Sequence, residues 1–245
     1  MRLVSWNCNG ALRKKFLELQ ALEADIYIVQ ECEDPKRCSD RAYSEWAQNS
    51  LWIGGSKSRG LGVFARPRLV LTEMQLDAKG LELFLPFKVN DTVTFLAVWT
   101  KAAGSPTFKY IGQLWKYLQL HADFLSAGKS ILIGDLNSNV CWDKWDRWWN
   151  HSDVVKQLAD LGLHSLYHHQ STELQGAETV PTFFMHRNTE KPYHIDYSFL
   201  SQELLQDAAL QIGIPQNWLA HSDHMPLIVD LPNSLGFEHA VGGGS

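Results

Sequence analysis

Short runs of apolar residues, each about the length of a β-strand, recur along the chain and end in polar or turn-forming residues. Most are rich in Val, Ile, Leu and Phe, which favours strands over helix fragments. The eight predicted strands cover residues 2–6, 25–30, 62–65, 81–87, 93–99, 130–133, 195–200 and 225–231. Strands and helical segments mix without strict alternation, which predicts an α/β protein with mostly antiparallel sheets.

Three segments between these strands carry apolar residues at helical spacing, and they cover 12–23, 108–126 and 152–161. The last of them begins with Ser152, a capping residue, and ends before Gly162, a helix-stop signal. The sequence has no short internal repeat and no Pro/Gly/Ser-rich linker. We therefore expect one domain over residues 1–233 and a tail over 234–245, whose last four residues, Gly-Gly-Gly-Ser, look like an artificial linker.

Polar side chains lie at the tips of five predicted strands. Three strands end in a polar residue and two begin with one. In antiparallel packing, the ends of some strands and the starts of their neighbours share one rim of the sheet. The residues that we expect at this rim are Asn7, Glu31, Asp135, Asn137, Asp196, Asp223 and His224.

This set of side chains indicates metal-assisted hydrolysis of a phosphate ester. Crowded carboxylates repel one another unless a cation lies among them. Oxygen ligands without a zinc-type His or Cys spacing favour Mg²⁺, Mn²⁺ or Ca²⁺. A histidine beside an aspartate can orient or deprotonate a water molecule. Taken singly, each residue could instead serve a turn or cap.

Six sequence blocks occur in the same order as the signature blocks of a known family. They are Ser-Trp-Asn-Cys-Asn-Gly at 5–10, Val-Gln-Glu at 29–31, Gly-Leu-Gly-Val at 60–63, Gly-Asp-Leu-Asn at 134–137, His-Ile-Asp-Tyr at 194–197 and Ser-Asp-His at 222–224. The chain thereby resembles the endonuclease/exonuclease/phosphatase superfamily, which includes exonuclease III, deoxyribonuclease I, sphingomyelinases and inositol polyphosphate 5-phosphatases. The resemblance implies a four-layer α/β sandwich, with two mainly antiparallel sheets face to face, helices outside and the active site at one rim.

The resemblance also implies a magnesium site. Glu31 would be the principal Mg²⁺ ligand, with Asn7 in the metal shell and Asp223 as an outer ligand or a ligand of a second metal. Mn²⁺ is the expected substitute.

The catalytic residues implied by the resemblance are Asp135, Asn137, Asp196 and His224. Asp135 would orient or deprotonate the attacking water, and Asn137 would hold a phosphate oxygen. His224, paired with Asp196, would contact the scissile phosphate and stabilise charge in the transition state. A general-base role for His224 is the competing assignment.

Two positions depart from the pattern of the apurinic-endonuclease branch. Asn9 stands where that branch usually has Asp. The strand over 93–98 runs into Trp99, Thr100 and Lys101, where related proteins have a phosphate-contacting Tyr or His. Thr100 could substitute with its hydroxyl and Lys101 with its charge. These departures argue against lesion-specific repair and leave phosphoester cleavage intact.

An aromatic segment follows the predicted catalytic strand directly. Residues 139–150 contain four tryptophans interleaved with two cations, and the candidate substrate contacts among them are Trp142, Lys144 and Arg147. Aromatic faces beside cations suit the bases of single-stranded nucleic acid. Alternatively, Trp145 and Trp149, four residues apart, pack a short helix onto the core, and at least two of the four tryptophans are expected to pack in this way.

Arg187 and Lys191 precede Asp196 and are candidates for a second phosphate contact, with a solvated loop as the alternative. Four other histidines have spacings that fit no zinc motif, and we expect packing or surface roles for His151, His164, His168 and His169.

Charge and composition set the remaining expectations. The net charge is −5 and the pI about 6.0, so any contact with nucleic acid has to come from a local basic patch. The four cysteines lack zinc spacing, and the sequence shows neither a signal peptide nor an apolar run of membrane-spanning length, which predicts a cytoplasmic protein.

The leading hypothesis is a Mg²⁺-dependent nuclease that cleaves DNA or RNA, without an obligate protein partner. The alternatives are a phosphatase or phosphodiesterase acting on a small or lipid phosphoester, and a non-catalytic binding module of the same fold.

Overall fold

Two six-stranded sheets form the framework of the computed structural model, which describes residues 1–102 and 105–232. The first sheet contains β1 (Arg2–Asn7), β2 (Ile26–Cys32), β3 (Ser50–Ser56), β4 (Arg59–Ala65), β13 (Ala209–Ile212) and β14 (Leu227–Asp230), in the order β13-β14-β1-β2-β4-β3. The second contains β5 (Leu71–Glu73), β6 (Phe84–Val89), β7 (Val93–Trp99), β8 (Ser130–Asp135), β9 (Leu163–Ser165) and β12 (Asp196–Ser201), in the order β5-β6-β7-β8-β12-β9. A small hairpin joins β10 (Phe183–Phe184) to β11 (Pro192–Tyr193).

Antiparallel pairing dominates both sheets, as the sequence predicts. Each sheet has one parallel pair, β1 with β2 in the first and β7 with β8 in the second. The other pairs are antiparallel.

The helices are short and flank the sheets. They are α1 (Phe16–Gln20), α2 (Arg41–Trp46), α3 (Ile111–His121), α4 (Asp123–Ser126), α5 (His151–Asp160), α6 (Leu166–Ser171), α7 (Gln202–Leu205) and α8 (Pro215–Trp218), with 3₁₀ turns at Leu12–Lys14, Val140–Trp142 and Met185–Arg187.

Three hydrophobic clusters correspond to the three interfaces of a four-layer sandwich. Alternate residues of a strand point to opposite faces of its sheet. The central cluster joins the two sheets, with Ile28 of β2 and Ile133 of β8 among its members. On the outer face of the first sheet, Trp6 packs with Tyr43 of α2. On the outer face of the second, Leu132 packs with α3 and α5. The predicted sandwich of two sheets with outer helices is confirmed.

Strand pairing links distant parts of the chain. β1 pairs with β14, so the first sheet contains strands from both ends of the described chain. This pairing supports our proposal that residues 1–233 form one domain. The predicted tail, 234–245, lies outside the described residues. Among the described residues, no helix has both the length and the apolar composition required to cross a bilayer.

Three predicted helices differ from the structure in their bounds. Residues 12–23 divide into a 3₁₀ turn and α1, and residues 108–126 divide into α3 and α4. The cap of α5 is Asn150 rather than Ser152. Asn150 and Asp153 form a reciprocal capping box, in which each side chain accepts a hydrogen bond from the backbone of the other.

Candidate functional site

The predicted rim brings the ends of three strands together. Asn7 ends β1, Asp135 ends β8, and Asp196 begins β12 directly opposite Asp135 in the antiparallel register. The Nδ2 atom of Asn7 donates to Oδ2 of Asp135 at 2.9 Å, a contact that joins the two sheets. The strand-end pattern therefore places these three side chains correctly.

Asp135 is a fully buried carboxylate surrounded by donors. The backbone N–H of Asn137 donates to Oδ1 at 2.8 Å, and the side chains of Asn7 and Asn137 both donate to Oδ2. Burial raises the pKa of Asp135 to about 7, and the charge of Asp196 adds to this effect, while His224 and the donors oppose it. Near neutral pH the carboxylate can therefore take up and release a proton.

His224 forms a buried pair with Asp196. Its Nδ1 atom lies 3.0 Å from Oδ2 of Asp196, which leaves Nε2 as the ring nitrogen that can face a substrate. Burial alone lowers the pKa of His224, but the charges of Asp196 and Asp135 outweigh it and raise the pKa to about 9. The raised pKa favours the imidazolium form, in which both ring nitrogens are hydrogen-bond donors.

Two hydroxyl groups hold the segments that carry this pair. The Ser222 hydroxyl donates to the carbonyl of Asn7 at 2.7 Å and accepts from the backbone N–H of His224 at 3.1 Å. The Thr182 hydroxyl accepts from the backbone N–H of Asp196 at 3.0 Å. Thr182 was missed in the sequence because a lone threonine carries no signal of such a long-range contact.

Glu31 lies at an irregularity of β2. The register shifts between Gln30 and Cys32, and Glu31 adopts a left-handed backbone conformation with φ of 63°. Bulges of this kind redirect a side chain and are common beside active sites. Oε1 of Glu31 lies 3.4 Å from the amide of Asn7. Glu31 therefore points toward the carboxylate at the end of β8.

The second oxygen of Glu31 fits a cation. Within the described residues, the buried Oε2 atom has no hydrogen-bond partner. The Nη2 atom of Arg59 lies 3.0 Å away and forms an ion pair without hydrogen-bond geometry. An under-satisfied carboxylate oxygen of this kind suits a hard divalent ion. Arg59 was missed in the sequence, where it precedes an otherwise weak Gly-Leu-Gly motif.

A further group of ligand atoms lies beside Glu31. Asp135, Asp196 and His224 offer one atom each, all within 4.8 Å of one another, and this group could hold a metal ion only with the His224 ring neutral. Asp223 does not belong to this group. Its carboxylate is partly exposed and contacts the Ser222 hydroxyl at 3.4 Å.

Thr100 was predicted to substitute for the missing Tyr or His, and this prediction is wrong. This residue is fully buried and its hydroxyl donates to the carbonyl of Leu136, so it is not available to a substrate. Lys101 is more accessible, but its Nζ pairs with Glu82 at 3.1 Å.

Two asparagines are already engaged in the site. Asn137 donates its side-chain N–H groups to Asp135 and to the Thr100 carbonyl, at 2.8 and 2.9 Å. It reaches a phosphate through Nδ2 only by giving up one of these bonds. Asn9 donates its backbone N–H to Oδ1 of Asn7 at 3.0 Å, which fixes the amide of Asn7 toward Asp135.

Arg187 lies near the segment that carries Asp223. Its guanidinium donates to the carbonyls of Ala220 and His221, at 3.2 and 3.4 Å. Lys191 is exposed in the adjoining turn. Arg187 therefore braces the loop before Ser222, whereas Lys191 extends into solvent.

The aromatic segment is not a helix beyond its first turn, and the expectation that at least two of its four tryptophans pack onto the core is wrong, because Trp142, Trp145 and Trp148 are exposed. Trp145 is 97% exposed, whereas Trp149 packs against Phe108 with ring centroids 4.7 Å apart. Asp143 accepts hydrogen bonds from the first backbone N–H groups of α5, and the residues between Asp143 and α5 form turns and bends. Trp142 and Lys144 are exposed, and Arg147 is half-buried.

The four histidines predicted to pack or to lie at the surface do so. His151 is buried against the ring of Tyr197, and His168 pairs with Glu178 at 3.1 Å. His164 and His169 are exposed.

No family model matches the sequence, and neither does any curated protein. Solved structures do match it. A 3′-5′ exonuclease (NExo) from Neisseria meningitidis is 20% identical with a TM-score of 0.71, and the match covers 94% of this chain and 99% of that one. An AP endonuclease from Archaeoglobus fulgidus is 17% identical with a TM-score of 0.67, covering 94% and 99%.

TDP2 from C. elegans is 13% identical with a TM-score of 0.66, and the match covers 94% of this chain and 74% of that one. Identities this low show a shared fold. The chain therefore has the fold of the endonuclease/exonuclease/phosphatase superfamily, which its ordered sequence blocks resemble.

Proposed function

We propose that this protein is a nuclease that hydrolyses phosphodiester bonds of DNA or RNA with a bound Mg²⁺ ion. The observation that carries the proposal is the buried carboxylate of Asp135 beside the Asp196–His224 pair, at one rim of the sandwich. Together they offer a proton acceptor and a cationic donor within one small space. Attack of water on a phosphodiester requires both.

The residues that would hold the ion are Glu31 and Asn7, with Asp223 as an outer ligand. The Oε2 atom of Glu31, which forms the ion pair with Arg59 but no hydrogen bond, supports this assignment. When bound, Mg²⁺ supplies positive charge that neutralises a phosphate oxygen, and Mn²⁺ can take its place.

Asp135 would accept the proton of the attacking water. A general base works best when its pKa is close to the working pH, and the raised pKa of about 7 meets that condition. The donors from Asn7 and Asn137 hold the carboxylate in one orientation. Asn137 acts mainly through Asp135 in this scheme.

His224 would stabilise the negative charge that develops on the phosphate. Its raised pKa, about 9, keeps the ring protonated at neutral pH and favours this role over that of a general base. Asp196 fixes the ring through Nδ1, so Nε2–H is the donor left for the phosphate.

The two alternative functions make different predictions. A small or lipid phosphoester would bind with little dependence on salt, whereas a nucleic acid would bind less tightly as salt rises, because counterions are displaced. A similar solved structure supports nucleic acid, since it contains the 3′ phosphatase NExo from Neisseria bound to a product DNA hairpin. A binding module without chemistry is disfavoured by the intact set of Asp135, Asp196 and His224.

A substrate panel tests the proposal. Single- and double-stranded DNA, RNA, bis(p-nitrophenyl) phosphate and phosphomonoesters are incubated with Mg²⁺, Mn²⁺ or EDTA at several salt concentrations. We expect cleavage of nucleic acid with Mg²⁺ or Mn²⁺, none with EDTA, and weaker binding at high salt. Cleavage of phosphomonoesters alone would support the small-substrate alternative. Inactivity on every substrate would support the binding module.

Arg59 gives a prediction about the ion that does not depend on activity. Arg59 pairs with the carboxylate that would hold the metal, so replacing it with glutamine should tighten Mg²⁺ binding by about two- to fivefold, the range of a partly exposed ion pair. Isothermal titration calorimetry measures the affinity.

Arg13→Gln is the matched control for Arg59→Gln, because Arg13 pairs with Glu33 and its loss removes the same charge from a neighbouring carboxylate. Equal or weaker Mg²⁺ binding by the Arg59 variant would count against Glu31 as the ligand.

The cytoplasm remains the proposed location. All four cysteines, Cys8, Cys32, Cys38 and Cys141, are free thiols, which supports a reducing compartment.

A further inference from the structure

Three tryptophans extend into solvent from one loop beside the candidate site. The exposed fractions are 44% for Trp142, 97% for Trp145 and 63% for Trp148. Exposing indole rings forgoes the stabilisation that their burial would provide, and exposed aromatic side chains are enriched at binding surfaces. We call these three residues the indole face.

The loop that carries the indole face packs against other aromatic rings of the protein. Trp149 meets Trp148 edge to face at 4.9 Å and Phe108 at 4.7 Å. Phe108 in turn stacks on Trp115 of α3 at 5.8 Å. These ring contacts hold the backbone of the loop in place. The exposed rings are therefore attached to an ordered loop.

Two acidic side chains next to the indole face accept hydrogen bonds from backbone N–H groups at the start of α5. The two carboxylate oxygens of Asp143 accept from the backbone N–H groups of His151 and Ser152, at 2.8 and 3.1 Å. Asp153 accepts from the backbone N–H of Asn150 at 2.8 Å. These two acidic side chains are therefore used to cap α5.

Two lysines lie around the same loop. Lys144 is exposed between Trp142 and Trp145, and Nζ of Lys116 lies 4.4 Å from the ring centre of Phe108. Asp146 and the half-buried Arg147 offset each other in charge. The local surface thus offers cations between aromatic rings, although the whole chain is acidic.

A row of rings connects the indole face to the candidate site. The ring of Trp142 lies 5.2 Å from Tyr193, and Tyr193 lies 6.3 Å from Phe183. Phe183 is 4.6 Å from the ring of His224. A strand whose phosphate lies at His224 can therefore extend along this row to reach Trp142.

We propose that the indole face binds single-stranded nucleic acid, with unpaired bases stacked on Trp142, Trp145 and Trp148 and the backbone beside Lys144. Base faces are available for such stacking only when they are unpaired, and every base has one, so binding tolerates any sequence. This inference rests on the proposed function, and it narrows the substrate to a strand with unpaired bases next to the cleaved bond.

Binding of a labelled oligonucleotide tests the inference without cleavage. Fluorescence anisotropy with a mixed-sequence single strand is measured in EDTA, for the wild type and for Trp145→Ala and Trp148→Ala. Each substitution should weaken binding about tenfold, the typical effect of losing one stacked base. Trp145→Phe keeps a ring and should bind within about threefold of the wild type.

Leu174→Ala is the matched control, since Leu174 is another apolar side chain, 78% exposed, in a different loop. It should leave binding unchanged. Leu174→Ala should also hydrolyse bis(p-nitrophenyl) phosphate at the wild-type rate.

Several outcomes would overturn the inference. One is wild-type binding of the single strand by both alanine variants. Another is equal competition by a fully paired duplex. A third is that the wild type sediments as a dimer and the Trp145→Ala variant as a monomer. That result would assign the indole face to contact with a second copy of the chain. If no substrate is cleaved but the alanine variants still lose binding, the nuclease proposal fails and this inference stands.

Discussion

Asparagine in place of Asp135 is expected to lower the rate of phosphodiester hydrolysis by about a thousandfold, the scale of a lost general base. The amide has nearly the same shape but cannot take a proton from water. The substitution also removes one of the three carboxylate charges that raise the pKa of His224, although Asp196 still contacts Nδ1. The measurement is kcat at saturating Mg²⁺ with an oligonucleotide and with bis(p-nitrophenyl) phosphate.

The matched control is Asp91→Asn, an identical change at an exposed turn between β6 and β7, which should keep full activity. Circular dichroism should show that both variants fold. Asp135 would be ruled out as the proton acceptor if the Asp135→Asn variant retained more than a tenth of the wild-type kcat on both substrates.

The strand-end residues were predictable because their signal is local. Asn7 and Asp135 each follow a short apolar run, and Asp196 begins one. Once such runs pair as β-strands, polar residues at their tips can only lie at the rim. The ordered sequence blocks then indicated the sandwich, so the fold and the meeting of Asn7, Asp135 and Asp196 at one rim followed from the sequence.

Contacts between distant segments account for what the sequence did not reveal. Arg59 pairs with Glu31 because the bulge in β2 turns Glu31 toward it, and neither a bulge nor its partner can be read from residue types. Thr100 was misassigned for a similar reason. Its position in the sequence matches that of the missing Tyr or His, but its hydroxyl is satisfied by the carbonyl of Leu136.

The loop over 143–150 shows how a local pattern can mislead. The four-residue spacing of Trp145 and Trp149 fits a helix, yet Asp143 and Asn150 both act as helix-capping residues just before α5. Capping side chains compete with helical hydrogen bonds in their own segment. The helix therefore begins after Asn150, and Trp145 is left in solvent.

Gly134→Ala is expected to destabilise the protein by about 4 kcal/mol or more, at the far end of single-substitution effects. Gly134 precedes Asp135 in β8 and has a φ of 149°, a conformation that L-residues rarely adopt. An added Cβ would lie 1.9 Å from the carbonyl oxygen of Val98 in β7. That oxygen belongs to the backbone, so β7 and β8 would have to separate and Asp135 would move with them.

Urea unfolding followed by tryptophan fluorescence measures this loss, with activity measured in parallel. Gly55→Ala is the matched control, because Gly55 lies in β3 with nothing within 4 Å of an added Cβ and should change the unfolding free energy by less than about 1 kcal/mol. If Gly134→Ala unfolds at the same urea concentration as the wild type, the close approach of β7 to β8 at this point is not what fixes Asp135 in the site. If instead the variant is destabilised and the residual folded protein is also inactive, one backbone contact both holds the sheet together and positions the proton acceptor.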